Sequence, residues 1–233
     1  MKTILITGGS KGIGYGIAEV LIKEDWKVAI TGRNPGQVET ATTKLNGIKK
    51  DHALGIVADV RNYQQQQAAV EKILLAWGQL DVLVANAGIG HFGSIETITN
   101  EQWHETMDTN LTGVFYSVKA SLEALKKSKG YIITIASLAG TNFFTGGSAY
   151  NASKFGLVGF TQAIMLDLRA HGIKVSTIMP GSVATYFDGH VPNEKDGWKI
   201  QPEDVGQIVL DLLKMNPRTL PSKIEVRPSL PGK

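Results

Sequence analysis

The sequence predicts an α/β fold in which a doubly wound, parallel sheet of seven strands carries helices on both faces, within a single domain covering residues 1–233. Two observations favour this fold. Short apolar runs rich in β-branched residues alternate with longer stretches of helical periodicity, as buried parallel strands alternate with crossover helices. A length of 233 residues also suits one core better than two.

Each predicted strand is an apolar run of fewer than ten residues. The last of them shows as an alternation of Ile224 and Val226 with polar residues. Because right-handed crossovers connect parallel strands, ligands are expected beyond the carboxyl ends of these strands. The strands are expected at residues 2–7, 26–31, 53–58, 80–85, 130–136, 173–179 and 223–227.

The predicted helices fill the intervals between the strands. Pro35 and Pro202 suit first-turn positions, and Gly78 and Gly172 suit helix ends. A long polar connection follows the sixth strand at residues 186–200. The helices are expected at residues 13–24, 35–46, 63–77, 100–126, 149–171 and 202–215.

The composition excludes several classes of protein. Hydrophobic residues make up 42% of the chain and charged residues 19%, which is typical of globular proteins. The chain has no cysteine, which excludes disulfides and a cysteine nucleophile. The net charge of +3 is scattered, so no nucleic-acid partner is expected. No apolar run reaches the ~18 residues of a membrane span, so we expect a soluble, cytoplasmic protein with no membrane partner.

A glycine-rich turn follows the first strand directly. Such a turn brings the backbone close to a pyrophosphate at a helix N-terminus, where free N–H groups favour anions. Its spacing is Gly-x-x-x-Gly-x-Gly, and similar turns also serve chain geometry alone, so a cofactor site and a structural turn both remain open here. The segment reads Thr7, Gly8, Gly9, Ser10, Lys11, Gly12, Ile13 and Gly14.

The end of the second strand carries an arginine where NAD-binding sheets commonly carry a carboxylate. The segment 30–33 contains no acidic residue and ends in Arg33, and Lys11 in the glycine turn adds a second cation. A guanidinium holds a phosphate through two hydrogen bonds, so this pair favours the 2′-phosphate of NADP. The alternative is that both are solvated surface cations.

Tyr150 and Lys154 lie four residues apart in a helical pattern and therefore share one helix face. An adjacent ammonium and a cationic nicotinamide would favour the phenolate, which makes the tyrosine a usable acid and base. The alternative for the isolated pair is an exposed helix face. Ser137 ends the fifth strand, at the same sheet edge, where its hydroxyl would hydrogen-bond a substrate oxygen.

Two asparagines complete this set of polar residues. Asn86 closes the fourth strand, and Asn110 lies within a helical pattern where asparagine has low propensity. Taken singly, Asn86 is explained by a turn and Asn110 by a buried amide. A serine hydrolase is disfavoured because Ser137 lacks a Gly-x-Ser-x-Gly elbow.

Three connections near these residues are expected to wall the substrate pocket, at 89–95, 138–147 and 186–200. Their aromatic residues suit an apolar carbonyl substrate. The alternative is that these aromatic side chains only pack against the protein and hold the loops in place. His91 and His190 lie in two of these connections and show no metal-ligand spacing. The aromatic residues are Phe92, Phe143, Phe144, Tyr186, Phe187 and Trp198.

Taken together, these motifs resemble the compact, single-domain branch of the short-chain dehydrogenase/reductase family from residue 1 to about residue 215. The matching positions are Thr7, Gly8, Gly12 and Gly14 for its TGxxxGxG turn, Asp59 and Val60 for its adenine-contacting pair, Asn86, Ala87 and Gly88 for its NAG motif, Asn110, Ser137, Tyr150 and Lys154 for its catalytic tetrad, and Pro180, Gly181, Val183 and Thr185 for the segment lining the nicotinamide.

The resemblance implies a Rossmann-like, NADP(H)-dependent oxidoreductase acting on a small carbonyl or alcohol substrate. Tyr150 would be its acid and base, Lys154 would bind the nicotinamide ribose and lower the tyrosine pKa, and Asn110 would anchor a proton-relaying water. Ser10, Lys11, Ile13 and Arg33 would join the cofactor contacts. The C-terminal segment 222–228 lacks the family's usual ending, so a homodimer is expected at least as strongly as the familiar homotetramer.

Two other functions fit parts of the pattern. A non-catalytic NADP sensor on the same fold would be expected to lose members of the tetrad, and all four are present. A sugar-nucleotide epimerase uses the same tyrosine and lysine but usually adds a sizeable C-terminal region, whereas only about 18 residues follow the last predicted helix here.

Overall fold

The computed structural model describes residues 1–230 and confirms the predicted fold. Seven parallel strands form one sheet in the order β3-β2-β1-β4-β5-β6-β7, with helices on both faces. The chain order is β1 Thr3–Ile6, α1 Gly12–Lys23, β2 Lys27–Gly32, α2 Pro35–Ile48, β3 Ala53–Val57, α3 Tyr63–Trp77, β4 Val82–Ala85, α4 Asn100–Met107, α5 Gly113–Ser128, β5 Tyr131–Ile135, α6 Ser148–Leu168, β6 Lys174–Pro180, α7 Pro202–Lys214 and β7 Lys223–Val226.

Two apolar layers cover the two faces of the sheet. In β1, Ile4 and Ile6 point towards a layer built with α1, α2 and α7, while Leu5 between them joins a layer built with α3, α5 and α6. This alternation follows from the two-residue period of a strand. Burial on both faces explains why the central strands are continuously hydrophobic.

The predicted helix ends are largely confirmed. Pro35 and Pro202 occupy first-turn positions of α2 and α7. Gly78 and Gly172 end helical segments with positive φ values of 78° and 72°, a conformation that glycine adopts without steric cost.

The helix predicted at 100–126 is present, but it is not a regular α-helix throughout. A π-helical turn at Asp108–Thr112 separates α4 from α5, and the Gly113 N–H reaches back five residues to the Asp108 carbonyl. One extra residue in a turn leaves the hydrophobic periodicity on either side nearly intact, so periodicity does not reveal it. The turn places Asn110, which is fully buried, towards the carboxyl edge of the sheet.

The connection after β6 is held by its own contacts. Val183 and Ile200 form a short parallel bridge that closes the segment between them. Inside it, the carboxylate of Asp196 is 93% buried and pairs with His190 at 2.6 Å and Lys199 at 2.6 Å. Within residues 1–230, no helix is both long and apolar enough to cross a lipid bilayer.

Candidate active site

A cavity of about 900 Å³ opens at the carboxyl ends of the central strands. Its lining combines the glycine turn, the residues after β2 and β3, the segment after β4, and the first turns of α6. All residues predicted for the cofactor and catalytic sites line it except Gly14 and Asn110, which lie directly behind its wall. The two ends of the predicted site are therefore parts of one continuous space.

The glycine turn depends on glycine at specific positions. Gly8 and Gly12 have φ values of 65° and 57°, in the left-handed region that glycine favours. A Cβ on Gly14 would lie 2.6 Å from the Asn86 amide nitrogen. Glycine at these positions therefore lets the backbone approach a ligand more closely than a residue with a side chain would.

Asn86 holds this turn against β4. Its side-chain nitrogen donates to the carbonyls of Thr7 at 2.9 Å and Gly8 at 3.1 Å. The Thr7 hydroxyl in turn accepts from the backbone N–H groups of Asn86 and Ala87 at 3.0 and 3.1 Å. In the structure both side chains therefore shape the wall of the cavity.

The two predicted cations both line the cavity and have different neighbours. Arg33 directly follows β2. Its neighbour Gly32 lies close to Ser10 of the glycine turn, since a Cβ on Gly32 would be 3.1 Å from the serine hydroxyl. The Arg33 side chain is 51% exposed and lies 3.7 Å from Glu105. Lys11 lies over the ring of Tyr186, with its ammonium 6.0 Å from the ring centroid.

The segment after β3 carries the predicted adenine-contacting pair. Asp59 accepts three hydrogen bonds from the Arg61 guanidinium, the shortest 2.7 Å long. Burial raises the pKa of Asp59, but the hydrogen bonds from Arg61 outweigh it and leave this pKa below its usual value. Val60 packs directly against Gly113, where a Cβ would lie only 2.7 Å from the valine side chain.

Two hydroxyl groups in the cavity wall are suited to a polar ligand. The hydroxyls of Thr31 and Thr109 are buried and make no hydrogen bond to another group within residues 1–230. Both residues line the cavity. Buried polar groups are normally paired, so these two hydroxyls and the glycine cradle fit a polar cofactor in this part of the cavity.

The predicted catalytic pair lies in the first two turns of α6. The Lys154 ammonium donates to the carbonyl of Ile135 at 3.2 Å and lies 5.7 Å from the centroid of the Tyr150 ring. Burial lowers the pKa of Lys154 to about 8. A Cβ on Gly88 would lie 3.6 Å from this ammonium, so the segment after β4 passes directly over it.

Burial dominates the pKa of Tyr150: it raises this pKa, and a hydrogen bond with Ser137 opposes the rise only in part. The expectation that Lys154 and a cationic nicotinamide together lower this pKa stays a prediction. Burial thus shifts both members of the pair towards their neutral forms, since it raises the pKa of Tyr150 and lowers that of Lys154. The phenol is therefore protonated at neutral pH and has a proton to donate.

Asn110 ties three segments together behind the catalytic pair. Its side chain accepts from the Ile89 N–H at 2.8 Å and donates to the Ile89 carbonyl at 2.9 Å. The same amide nitrogen donates to the Ser153 hydroxyl at 3.0 Å. The amide thus fixes the segment after β4 against α6, next to Lys154.

Two aromatic residues cover the Tyr150 ring. Phe92 and Phe187 have ring centroids 5.3 and 5.7 Å from it, in edge-on and tilted orientations. Gly90 permits this packing, because a Cβ there would lie 2.6 Å from the Phe187 ring. The wall against the Tyr150 ring is therefore apolar.

Three of the six predicted wall aromatics do not line this cavity. Phe143 is 84% exposed, and Phe144 reaches only the ring of Phe92, at 5.9 Å between centroids. Trp198 stacks with Lys199 instead. The segment 138–147 consequently supports the site from behind and does not face the cavity.

Sequence reasoning missed Glu105, which lines the cavity from the last turn of α4. Its carboxylate pairs with His91 at 2.9 Å and also lies near Arg33 and Arg61. These partners follow three different strands, so no local sequence signal joins them.

Each predicted pocket histidine is paired with a carboxylate, His91 with Glu105 and His190 with Asp196.

Comparison with known proteins agrees with this geometry. The family model described as short chain dehydrogenase matches residues 2–196. A trans-4-hydroxycyclohexanecarboxylate dehydrogenase of Sinomonas cyclohexanicum is 34% identical over 223 residues, covering 91% of this chain and 85% of the relative. An alcohol dehydrogenase of Thermococcus sibiricus, complexed with 5-hydroxy-NADP, superposes with a TM-score of 0.92 at 27% identity, covering 98% and 97% of the two chains.

A second solved structure carries the other nicotinamide cofactor. A 3-ketoacyl-(acyl-carrier-protein) reductase of Brucella melitensis, complexed with NADH, superposes with a TM-score of 0.90 at 26% identity and covers 98% of this chain and 97% of its own. The family match extends over most of the chain, from the glycine turn past the catalytic pair. The chain belongs to the short-chain dehydrogenase/reductase family of oxidoreductases.

Proposed function

We propose that this protein is an NADP(H)-dependent oxidoreductase that transfers a hydride between nicotinamide and a carbonyl or alcohol carbon, reducing a ketone, an aldehyde or a 3-oxoacyl group. One observation carries the proposal. Tyr150, with Lys154 and Ser137 beside it, faces the same cavity whose far end is formed by the glycine turn and Arg33. A single extended ligand can therefore contact the phosphate-binding turn and the proton donor together.

Each catalytic residue has one task in this proposal. The Tyr150 hydroxyl donates its proton to the carbonyl oxygen in reduction and accepts it back in oxidation. The Ser137 hydroxyl donates a hydrogen bond to the same oxygen and stabilises the charge that develops there. When bound, a reduced nicotinamide supplies the hydride that the carbonyl carbon accepts.

Lys154 and Asn110 prepare the site for this step. The Lys154 ammonium binds the hydroxyls of the nicotinamide ribose, and it replaces part of the solvation that Tyr150 loses on burial. Asn110 fixes the segment after β4 through both hydrogen bonds to Ile89. We also propose that a water anchored near Asn110 returns protons to Tyr150.

The cofactor contacts follow the lining of the cavity. The glycine turn with Ser10, Lys11 and Ile13 holds the pyrophosphate, and Asp59 with Val60 holds the adenosine. The nicotinamide lies against the segments after β4 and β6. Those segments contribute Asn86, Ala87, Gly88, Pro180, Gly181, Val183 and Thr185.

The preference for NADP rests on charge after β2. Arg33 is the cation directly after β2, Lys11 in the glycine turn adds a second cation to the cavity lining, and β2 ends without a carboxylate that would bind ribose hydroxyls. A guanidinium at this position favours the additional phosphate of NADP.

The substrate class rests on the wall around Tyr150. Phe92 and Phe187 make this wall apolar, which suits a substrate with an uncharged group beside its carbonyl. The similarity to a hydroxycyclohexanecarboxylate dehydrogenase and to a 3-ketoacyl reductase supports a hydroxyl or keto carbon as the reacting centre.

Turnover of a carbonyl panel tests this function. We expect NADPH to be consumed with ketones, aldehydes or 3-oxoacyl thioesters, as followed by loss of nicotinamide absorbance. A heat-denatured sample provides the background rate. Turnover of a sugar nucleotide in preference to every simple carbonyl would contradict the proposal.

We further propose that the protein forms a homodimer through the exposed face of α5 and α6. Phe115 and Phe155 are each 42% exposed on this face, and Leu166 is 61% exposed. Clustered apolar side chains on two neighbouring helices are typical of an interface with a second copy. Phe115 also contacts Phe160 of α6, at 6.3 Å between ring centroids, which makes the face continuous.

Sedimentation velocity tests the dimer. The wild type is expected to sediment as a species of at least twice 25.1 kDa. Phe155→Asp places a charge in the proposed interface and is expected to shift the protein to monomer without unfolding it, since the side chain is partly exposed. Leu75→Asp, an exposed position on α3, is the control. A monomeric wild type would contradict the dimer.

A further inference from the structure

Glu105 stands at the centre of a charge cluster on the rim of the cavity. One carboxylate oxygen lies 2.9 Å from the His91 imidazole. The other lies 3.6 Å from the Arg61 guanidinium and 3.7 Å from that of Arg33. A single α4 side chain therefore faces residues that follow β2, β3 and β4.

The carboxylate of Glu105 is ionised at neutral pH. The hydrogen bond with His91 lowers its pKa, and the charges of Arg61 and Arg33 lower it further, while burial opposes this only in part. Asp59 already pairs with Arg61 through three hydrogen bonds and acts on Arg33 only from a greater distance. Within residues 1–230, Glu105 is thus the carboxylate that lies within 4 Å of the Arg33 guanidinium.

Glu105 orients Arg33 only weakly. The separation of 3.7 Å is too long for a hydrogen bond, and the arginine side chain is 51% exposed. Exposed pairs of this kind contribute little free energy, because solvent screens them and the side chain loses rotational freedom. The main effect of Glu105 on an anion bound at Arg33 is therefore Coulombic repulsion, which a neutral group at the same place does not experience.

We propose that Glu105 is a specificity-determining residue that weakens the preference for NADP over NAD by opposing the 2′-phosphate held at Arg33. The inference rests on the proposed use of Arg33 as the phosphate-binding residue. It assigns opposite effects to two neighbouring side chains of opposite charge. Arg33 attracts the phosphate, and Glu105 limits how strongly it is held.

Dissociation constants for NADP⁺ and NAD⁺ test this inference without any substrate. They are measured by isothermal titration calorimetry at low salt and at about 0.5 M salt, where charges are screened beyond a few ångströms. The test variant is Glu105→Gln, which keeps the shape of the side chain. The matched control is Glu101→Gln, an exposed carboxylate one turn earlier on α4 that does not line the cavity.

Glu105→Gln is expected to tighten NADP⁺ binding about threefold to fivefold at low salt and to leave NAD⁺ binding within about 1.5-fold, since exposed charges interact by at most about 1 kcal/mol. The gain should shrink at high salt, and the control should change neither constant. Unchanged or weaker NADP⁺ binding in Glu105→Gln would overturn the inference, as would equal tightening of both cofactors.

Failure of the phosphate site itself gives a different pattern. If Arg33→Ala leaves NADP⁺ binding unchanged, Arg33 does not hold the phosphate, and the proposed NADP preference and the role of Glu105 are both overturned. If Arg33→Ala weakens NADP⁺ binding while Glu105→Gln has no effect, only the role of Glu105 is overturned.

Discussion

Replacing Tyr150 with phenylalanine is expected to lower kcat/KM for carbonyl reduction about a thousandfold. A positioned proton donor contributes roughly 10²–10⁴-fold to a rate, and Tyr150 is the protonated side chain that the structure places beside Ser137 and Lys154. The loss should fall on kcat, because the proton is needed in the transition state and not for binding.

The phenylalanine variant isolates the hydroxyl from the ring. Its ring retains the packing with Phe92 and Phe187, so the cofactor dissociation constant should stay within about twofold of the wild type. Tyr116→Phe on α5, outside the cavity, is the control and should leave kcat unchanged. A kcat for Tyr150→Phe within about threefold of the wild type would exclude Tyr150 as the proton donor.

Removing the Arg33 guanidinium is expected to weaken NADP⁺ binding about tenfold to a hundredfold and to leave NAD⁺ binding nearly unchanged. Hydrogen bonds to a charged group contribute about 1.5–3 kcal/mol, which corresponds to this range of affinity. Arg33→Ala removes those bonds while keeping the backbone after β2. Since the side chain is half exposed, the variant should remain folded.

The affinity change is measured by titration calorimetry beside a matched arginine variant. Arg218→Ala is suitable, because Arg218 is exposed in the connection before β7, at the opposite edge of the sheet from the cavity. It should alter neither cofactor constant. An equal loss of NADP⁺ and NAD⁺ affinity in Arg33→Ala would show that Arg33 acts on the shared part of the cofactor and not on the 2′-phosphate.

The fold was predictable because its signals are local. Each apolar strand is recognisable from a run of four to seven residues. Gly78 and Gly172 end helices through their own backbone conformation. The position of the glycine turn, directly after β1, likewise follows from neighbouring residues. Strand order is a property that these local signals leave open, because right-handed crossovers restrict it without fixing it.

Features that depend on distant partners escaped prediction. The π turn at Asp108–Thr112 brings Asn110 to Ile89 and Ser153, and neither contact is visible in the helical periodicity. The charge cluster around Glu105 could not be predicted either, because its partners follow three different strands.

The burial of Tyr150 could not be predicted for a related reason. The spacing of Tyr150 and Lys154 predicts their proximity, and the structure shows it. Spacing carries no information about burial, which raises the pKa of the phenol more than the neighbouring groups lower it. Likewise, the sequence identifies Phe143 and Trp198 as aromatic loop residues but does not show that they face away from the cavity.

Transfer of a labelled hydride tests the central claim most directly. The wild type is incubated with NADPH carrying deuterium at both C4 positions of the nicotinamide and with the carbonyl that turns over fastest in the panel. We predict that the product alcohol gains one deuterium on the carbon that carried the oxygen, as detected by mass spectrometry and proton NMR. NADPH consumption without deuterium on that carbon would contradict hydride transfer to a carbonyl and, with it, the proposed function.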